Sequence, residues 1–253
     1  IMNKQTFLTL LATFALLFSF TFSCHAKGKD KAKHVVFIGL DGWGAYSLPK
    51  ADMPNVKKLM EDGAYTLKKR SALPSSSAIN WASMFMGAGP ELHGYTEWGS
   101  KTPELPSRVL NKNGIFPTVF QLLRDARPEA EIGCLYEWEG IKYLVDTLSL
   151  SYHYHVADCN KTPKELGNMA SSYIKEKHPA LVAICYDGPD HTGHTAGHDT
   201  PEYYEKLKEL DVYVGQIVQA VKDAGMLDDT IFILTSDHGG IDKGHGGKTM
   251  QEM

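Results

Sequence analysis

Residues 34–42 read HVVFIGLDG, a run of β-branched and apolar residues that breaks off at an acid and a glycine. No polar position alternates with the apolar ones, so the run suits a strand buried on both faces. The pattern returns twice: residues 180–190 read ALVAICYDGPD and residues 230–240 read TIFILTSDHGG. Residues 131–136 read as a further strand. Helical patterns lie between them. Residues 53–63, MPNVKKLMEDG, set Val56, Leu59 and Met60 at helical spacing before a terminal glycine, and residues 119–123 return to that spacing. Thr162 caps a predicted helix that runs to about Lys177, with Pro163 at its first position and Glu165 completing a capping box. Thr200 and Pro201 open a long helix that ends near Gly225 and carries Tyr204, Leu207, Leu210, Val214, Ile217 and Val221 on one stripe. Strands alternating with helices predict an α/β fold, a doubly wound, mostly parallel sheet with helices on both faces. Residues 95–114, rich in Gly, Pro, Asn and Lys, predict a long loop of the kind that lines a site. Residues 149–159 carry no assignable pattern.

The chain has 253 residues and a formal net charge of -4, enough for one α/β domain with a sizeable core. That balance argues against nucleic acid as a partner, and the Lys-rich residues 27–33 read as an exposed tether. Residues 2–26 place Lys4 before FLTLLATFALLFSFTF and end in Cys24-His25-Ala26, the layout of a secretory signal peptide. The expected organisation is therefore a removable segment 1–26 and a domain from 27 to 253, periplasmic or secreted. The apolar run is short and wrongly flanked for a membrane span, with an uncleaved anchor as the alternative, and no span is expected after removal of the signal. Lipid attachment at Cys24 is the less favoured alternative, because Thr21-Phe22-Ser23 is a poor context for it. Cys134, Cys159 and Cys185 show no paired spacing, so neither a disulfide framework nor a thiolate metal cluster is predicted, and Cys185 reads as a small buried hydrophobe. Met253 follows a Gly-rich loop with no closing strand or helix, and the domain is expected to be incomplete at its C-terminal end.

Residues 71–94, SALPSSSAINWASMFMGAGPELHG, set Ser75, Ser76 and Ser77 at the start of a short apolar helix containing Trp81, Met84, Phe85 and Met86, ended by Gly87 and Gly89. A hydroxyl in that first turn points along free backbone N–H groups and the positive end of the helix dipole, where an attacked phosphate would sit. On this stretch alone an N-cap is the commoner job for serine. The acids shift the balance. In a doubly wound sheet the ligand crevice lies outside the carboxyl ends of the strands, and Asp41, Asp190 and Asp237 each follow a predicted strand. One such Asp is ordinarily a turn residue, but here are three, two of them followed by histidines. The spacing of Asp190 and His194 lets both reach one ion, with Gly193 allowing a tight approach. Asp237 and His238 are adjacent, and His245 in Lys243-Gly244-His245-Gly246-Gly247 adds a further imidazole. Crowded carboxylates need a counter-charge. Arg70, Arg108, Arg124 and Arg127 lie in unrelated places, which leaves metal ions. Asp and His ligands without Cys suit Zn²⁺ best, with Mn²⁺ or Fe as alternatives. His25, His34, His153, His155 and His178 are assigned ordinary surface or structural roles; His191 and His198 are bystanders near the site.

Leu40-Asp41-Gly42, Pro74-Ser75-Ser76-Ser77, Pro90-Glu91-Leu92-His93-Gly94, Pro189-Asp190-His191-Thr192-Gly193-His194 and Ser236-Asp237-His238-Gly239, in this order, resemble the alkaline phosphatase superfamily. The branch they resemble most is the type I phosphodiesterase and nucleotide pyrophosphatase group. The resemblance spans nearly the whole mature chain. It implies two divalent metal ions, normally zinc, one held by Asp41, Ser77, Asp237 and His238, the other by Asp190, His194 and a late histidine. His245 is the candidate for that last ligand, which other branches place beyond the end of this chain. Counting back from His93-Gly94 puts the nucleophile at Ser77, where many relatives have Thr. Relatives that take nucleotides carry an aromatic residue where this chain has Ala78, and their phosphate-contacting Asn falls on Trp98. Trp98 and Tyr95 are candidates to stack on a substrate. Asn80 is a candidate phosphate donor, with a structural hydrogen bond as its competing role.

The resemblance implies an exported metal-dependent phosphoester hydrolase, a phosphodiesterase/pyrophosphatase or phosphatase that acts on small molecules through a covalent phospho-serine. The alternatives are a phosphotransferase or phosphomutase of the same superfamily, or a catalytically silent envelope module that binds metal or glycan. Asp41-Gly42-Trp43-Gly44 looks like cofactor-independent phosphoglycerate mutase, whereas export argues against that role. Phosphoethanolamine transferases share close motifs but usually need membrane spans. A sulfatase is argued against by Ser77-Ala78-Ile79-Asn80-Trp81, which lacks the Pro and Arg of a formylglycine context.

Overall fold

A computed structural model describes residues 32–157 and 163–253. The predicted signal segment, Cys24, Cys159 and the Thr162 cap lie outside the described residues. Five strands form one sheet: β1 (His34–Leu40), β2 (Ile132–Tyr136), β3 (Tyr152–His155), β4 (Leu181–Tyr186) and β5 (Thr230–Thr235), in the order β3-β2-β4-β1-β5. Every neighbouring pair is parallel. The helices are α1 (Pro54–Asp62), α2 (Ser77–Met86), α3 (Pro90–His93), α4 (Val119–Ala126), α5 (Pro163–Lys177), α6 (Gly188–Ala196) and α7 (Pro201–Asp223). Among the described residues no helix is long and apolar enough to cross a membrane.

Strand alternation divides the core into two layers. Val36, Ile38 and Leu40 of β1 and Val182, Ile184 and Tyr186 of β4 face one side, packed with Val56 of α1, Leu166 and Ile174 of α5, and Leu207, Leu210, Val214 and Ile217 of α7. Ala183 and Cys185 of β4 face the other side, with Trp81 and Phe85 of α2 and Phe120 of α4. Helices therefore cover both faces, as the alternating pattern predicts. Cys134 and Cys185 are buried free thiols.

Three local readings change. β3, in the stretch without a pattern, is a four-residue edge strand YHYH whose polar and aromatic side chains sit at the sheet margin. β5 is the other edge, and its burial alternates: Ile231 and Ile233 are 50% and 42% exposed, so this strand is not buried on both faces. α6 occupies a stretch without apolar periodicity. Pro189 stands in its first turn, where the missing N–H and fixed φ favour helix, and the helix sets Asp190 and His194 one turn apart on one face.

Glu137, one residue past β2, anchors the start of α6: its Oε2 accepts from the Asp187 N–H at 2.7 Å. Its Oε1 has no hydrogen-bond partner. Burial pushes this carboxyl from the ordinary 4.5 up to about 8. Between those values the native chain holds a proton that the unfolded chain has lost, so Glu137 makes stability fall as pH rises through that window. Glu137→Gln, which resembles the protonated form, should flatten the fall in Tm between about pH 5 and 8; parallel Tm curves for the two proteins would contradict this. Gly39 lies under the Trp81 ring, and a Cβ there would come within 2.2 Å of the indole. Gly39→Ala should therefore cost roughly 1–3 kcal/mol in urea unfolding, and an unchanged midpoint would show that the layer yields freely.

Candidate functional site

Because the strands are parallel, β4, β1 and β5 end on one rim, and β1 is the middle strand. Asp41 directly follows β1, and its N–H extends the ladder to the Tyr186 carbonyl at 2.8 Å. Gly42 follows with φ +66, and a Cβ there would lie 2.8 Å from Asp190 Cα. Glycine therefore lets α6 bring Asp190 up to the strand end. The Gly42 N–H also donates to Asp237 Oδ1 at 3.1 Å. The Trp81 indole, in the core face of α2, donates to Asp41 Oδ2 at 2.8 Å.

Around this frame the sequence-predicted residues fall into two neighbouring groups. His238 Nε2 lies 3.4 Å from Asp41 Oδ1, 3.3 Å from Asp237 Oδ2 and 3.2 Å from Ser77 Oγ. His194 Nε2 lies 3.2 Å from Asp190 Oδ2, and His245 Nε2 lies 3.1 Å from His194 Nε2 and 3.7 Å from Asp190 Oδ1. The His238 and His245 rings stack at 3.8 Å between centroids. Two sets, Asp190 with His194 and His245, and Asp41 with Asp190 and His238, have ligand atoms within 4.8 Å of one another and can hold a metal ion.

The donor chemistry fits a cation. Asp41 Oδ1, Asp190 Oδ1 and Asp237 Oδ2 are buried without a hydrogen-bond partner, a costly condition for acceptors that nothing answers. The imidazoles are oriented to match. His194 Nδ1 faces the Lys243 carbonyl at 2.9 Å, His245 Nδ1 the Ser75 carbonyl at 2.9 Å, and His238 Nδ1 the Gly239 carbonyl at 2.7 Å. A carbonyl only accepts, so each Nδ1 carries a proton; Nε2 of His238 and of His245 turns a lone pair into the cleft, as metal-ligating histidines do, while His194 Nε2 donates to Asp190 and is free for a metal once that proton is lost. Burial first, then the charges of Asp237 and Asp190, push Asp41 well above the usual carboxylate range. Burial also pushes Asp190 up, but the His194 hydrogen bond and the charges of His238 and His245 outweigh it and hold Asp190 low. The bond to Asp190 raises His194 to about 9, whereas burial lowers His245.

The three serines have separate positions. Ser75 Oγ donates to the Gly247 carbonyl at 2.7 Å and accepts from the Gly246 N–H at 3.2 Å, which straps the His245 loop to this stretch. Ser76 is the N-cap residue of α2, yet its side chain makes no capping bond. Ser77 opens the helix, and its hydroxyl donates to the bare Nε2 of His238. One of the N–H groups expected to be free in that first turn is taken, because Ala78 N–H donates to the Trp98 carbonyl at 3.1 Å.

Other expectations are corrected. Asn80 holds the loop instead of a phosphate: its Oδ1 accepts from the Ala72 N–H, and its amide donates to the carbonyls of Ala72, Pro74 and Ser76. Tyr95 is buried and bonded to the Tyr143 carbonyl, so it does not reach a substrate, whereas Trp98 is 67% exposed. Gly193 makes room for the His198 ring, 2.2 Å from where its Cβ would be, and not for an ion. Sequence reasoning missed Glu137; its position right after a strand, like that of Asp41, was the available signal.

The profile of the type I phosphodiesterase / nucleotide pyrophosphatase family matches residues 35–245. Mouse bis(5'-adenosyl)-triphosphatase enpp4 is 26% identical over 221 residues, covering 83% of this chain and 48% of that protein. The GPI ethanolamine phosphate transferase 3 of Schizosaccharomyces pombe is 31% identical over 113 residues, covering 44% of this chain and 12% of that protein. Among solved structures, murine ectonucleotide pyrophosphatase/phosphodiesterase 5, in an inactive form in complex with AMP, matches with a TM-score of 0.62 at 19% identity, covering 82% of this chain and 57% of that one, a likeness of fold. The chain spans about half the length of the enpp4 relatives it matches. With the motif acids and imidazoles gathered on one rim and the profile running from residue 35 to 245, this chain belongs to the type I phosphodiesterase / nucleotide pyrophosphatase family, within the alkaline phosphatase superfamily.

Proposed function

We propose that this protein is an exported, metal-dependent phosphoester hydrolase that acts through a covalent phospho-serine on Ser77. The observation that carries the reading is the Ser77 hydroxyl, 3.2 Å from His238 Nε2 at the opening of α2, beside carboxylate oxygens that nothing else partners. The ligand sets are Asp41, Ser77, Asp237 and His238 for one ion, and Asp190, His194 and His245 for the other. Two divalent cations there, Zn²⁺ by the donor set with Mn²⁺ as the alternative, supply the Lewis-acid charge that acidifies the serine hydroxyl and offsets the developing charge on the phosphoryl group.

Ser77 Oγ forms the new bond to phosphorus while the bond to the leaving oxygen breaks. Water then hydrolyses the serine ester and restores the hydroxyl. The start of α2 adds the positive end of its dipole at the attacked phosphate. The names of the relatives, a bis(5'-adenosyl)-triphosphatase and an ectonucleotide pyrophosphatase/phosphodiesterase, favour small nucleotide phosphoesters. Ala78 leaves the stacking position without a ring, and the exposed Trp98, whose backbone meets Ala78, is the candidate to take its place. The N-terminal segment 1–26 fits secretion to the periplasm or medium.

Ser77→Ala should lower turnover of p-nitrophenyl phosphate, bis-p-nitrophenyl phosphate and a nucleotide p-nitrophenyl ester by roughly a thousandfold or more, while metal measured by mass spectrometry stays in place. A chelator should abolish the activity of the parent. Turnover near that of the parent in the variant, or indifference to the chelator, would defeat the proposal.

A further inference from the structure

Residues 94–105 leave α3 and return beside it, and the loop is closed at its base. The Leu105 N–H donates to the Gly94 carbonyl at 3.1 Å, and the Arg108 N–H to the Leu92 carbonyl at 2.8 Å. Gly94 has φ +85, and a Cβ there would lie 2.1 Å from the Leu105 carbonyl oxygen, so the two ends meet only over a glycine. His93 ties this base to the helix of Ser77. The Tyr95 N–H donates to His93 Nδ1 at 3.1 Å, which puts the ring proton on Nε2. Nε2 lies 3.0 Å from Ser83 Oγ, and that hydroxyl donates to the Ile79 carbonyl of α2 at 2.7 Å. Burial lowers His93 to about 4 and keeps the ring neutral, so the donors run in one direction from the loop into α2.

The tip has a second anchor. The Ala78 N–H, next to Ser77, donates to the Trp98 carbonyl at 3.1 Å. Between base and tip the loop is folded around one carboxylate. Glu104 Oε2 accepts from the Thr96 N–H at 2.7 Å, from the Thr96 hydroxyl at 3.2 Å and from the Ser100 hydroxyl at 2.9 Å. Ser100 Oγ in turn accepts from the Glu97 N–H at 3.1 Å. The backbone on both sides of Trp98 is thereby fixed, while the indole itself stands 67% exposed. A large aromatic side chain held in place yet left in solvent forgoes the gain of burial. A flat ligand group that covers it recovers that gain without the entropic cost of ordering the loop.

Resting on the phosphoester-hydrolase reading above, in which Trp98 is the candidate to stack on substrate, we propose that Glu104 is a positioning residue for that contact. By fixing the stretch from Thr96 to Ser100 it holds Trp98 at the opening of α2. The enzyme then favours phosphodiesters whose non-leaving side carries a flat aromatic group.

The test compares two diesters with the same leaving group, a nucleotide p-nitrophenyl ester and methyl p-nitrophenyl phosphate. The parent should show the lower KM for the first. Glu104→Ala should raise that KM roughly five- to twentyfold with kcat held within about twofold, the mark of a lost stacking contact, and should leave KM for the methyl ester unchanged. Glu104→Gln keeps a carbonyl acceptor toward Thr96 and should restore most of the difference. On a Trp98→Ala background Glu104→Ala should change nothing further, because the contact it serves is already gone. A loss shared equally by both diesters, or an additive loss in the double variant, would overturn the proposal. Where Glu104→Ala fails to fold, Ser100→Ala removes one of the Glu104 bonds and should raise the same KM about two- to fivefold; no selective rise would count against the proposal. A parent with equal KM for the two diesters, or with activity on p-nitrophenyl phosphate alone, would also overturn it. A parent inert toward all of these esters overturns the hydrolase reading itself, an outcome distinct from the others.

Discussion

Asp41, Asp190 and Asp237 are three acids brought into one cleft, and the rest of the rim is arranged around the repulsion among them. Ligand atoms of Asp41 and Asp190 lie within 4.8 Å; two unit charges at about 4 Å repel by about 4 kcal/mol at an effective dielectric near 20. A domain holds only about 5–15 kcal/mol in reserve, so such a term cannot stand unanswered. A proton on Asp41, the direction in which burial and its neighbours push it, is one answer. Divalent cations would be the stronger one, and on the proposed reading they would lie beside the hydroxyl of Ser77. On that reading metal binding and folding stability would be linked, because the cation would relieve the repulsion within the native chain.

A parallel sheet is what allows that crowding. All five strands deliver their carboxyl ends to one rim, and β4, β1 and β5 are neighbours there. The imidazoles are set differently, by backbone carbonyls of loops: Ser75, Gly239 and Lys243 each accept an Nδ1 proton. The loop that carries His245 is itself fastened, through Gly246 and Gly247 to Ser75, and through the Gly247 N–H to Glu252 Oε1 at 2.8 Å. The stretch from Ser75 to Ser77 and the loop that carries His245 are one interlocked unit, so a shift in either moves both.

Much of this was legible in the sequence because the strands carry their own signal. HVVFIGL, IGCLY and LVAICY are apolar enough to declare burial without help from distant residues, and the acids that follow them inherit their position from the sheet. What was not legible depends on partners far along the chain. TIFILT has the same composition as the central strands, yet it lies at an edge, and composition cannot distinguish the two. α6 lacks an apolar stripe, since its residues face a polar cleft. Asn80 reads as a phosphate donor until the carbonyls of Ala72, Pro74 and Ser76 are seen to claim its amide. The packing of His198 between Gly193 and Gly240 is not legible because Gly240 lies in the loop after β5.

Trp81 links the apolar core to the polar rim. Its ring is fully buried and packs against Phe85 at 5.7 Å and Phe37 at 6.4 Å, within the apolar layer that holds α2 on the sheet. Its N–H leaves that layer to reach Asp41 Oδ2 at 2.8 Å. One side chain therefore sets both the seat of the helix that begins with Ser77 and the orientation of the carboxylate after β1. The Ser77 hydroxyl meets the acids and imidazoles through its 3.2 Å contact with His238 Nε2. Ser77 opens a helix whose core face is seated on the sheet through Trp81 and Phe85, so its place on the rim is set by packing and not by a loop.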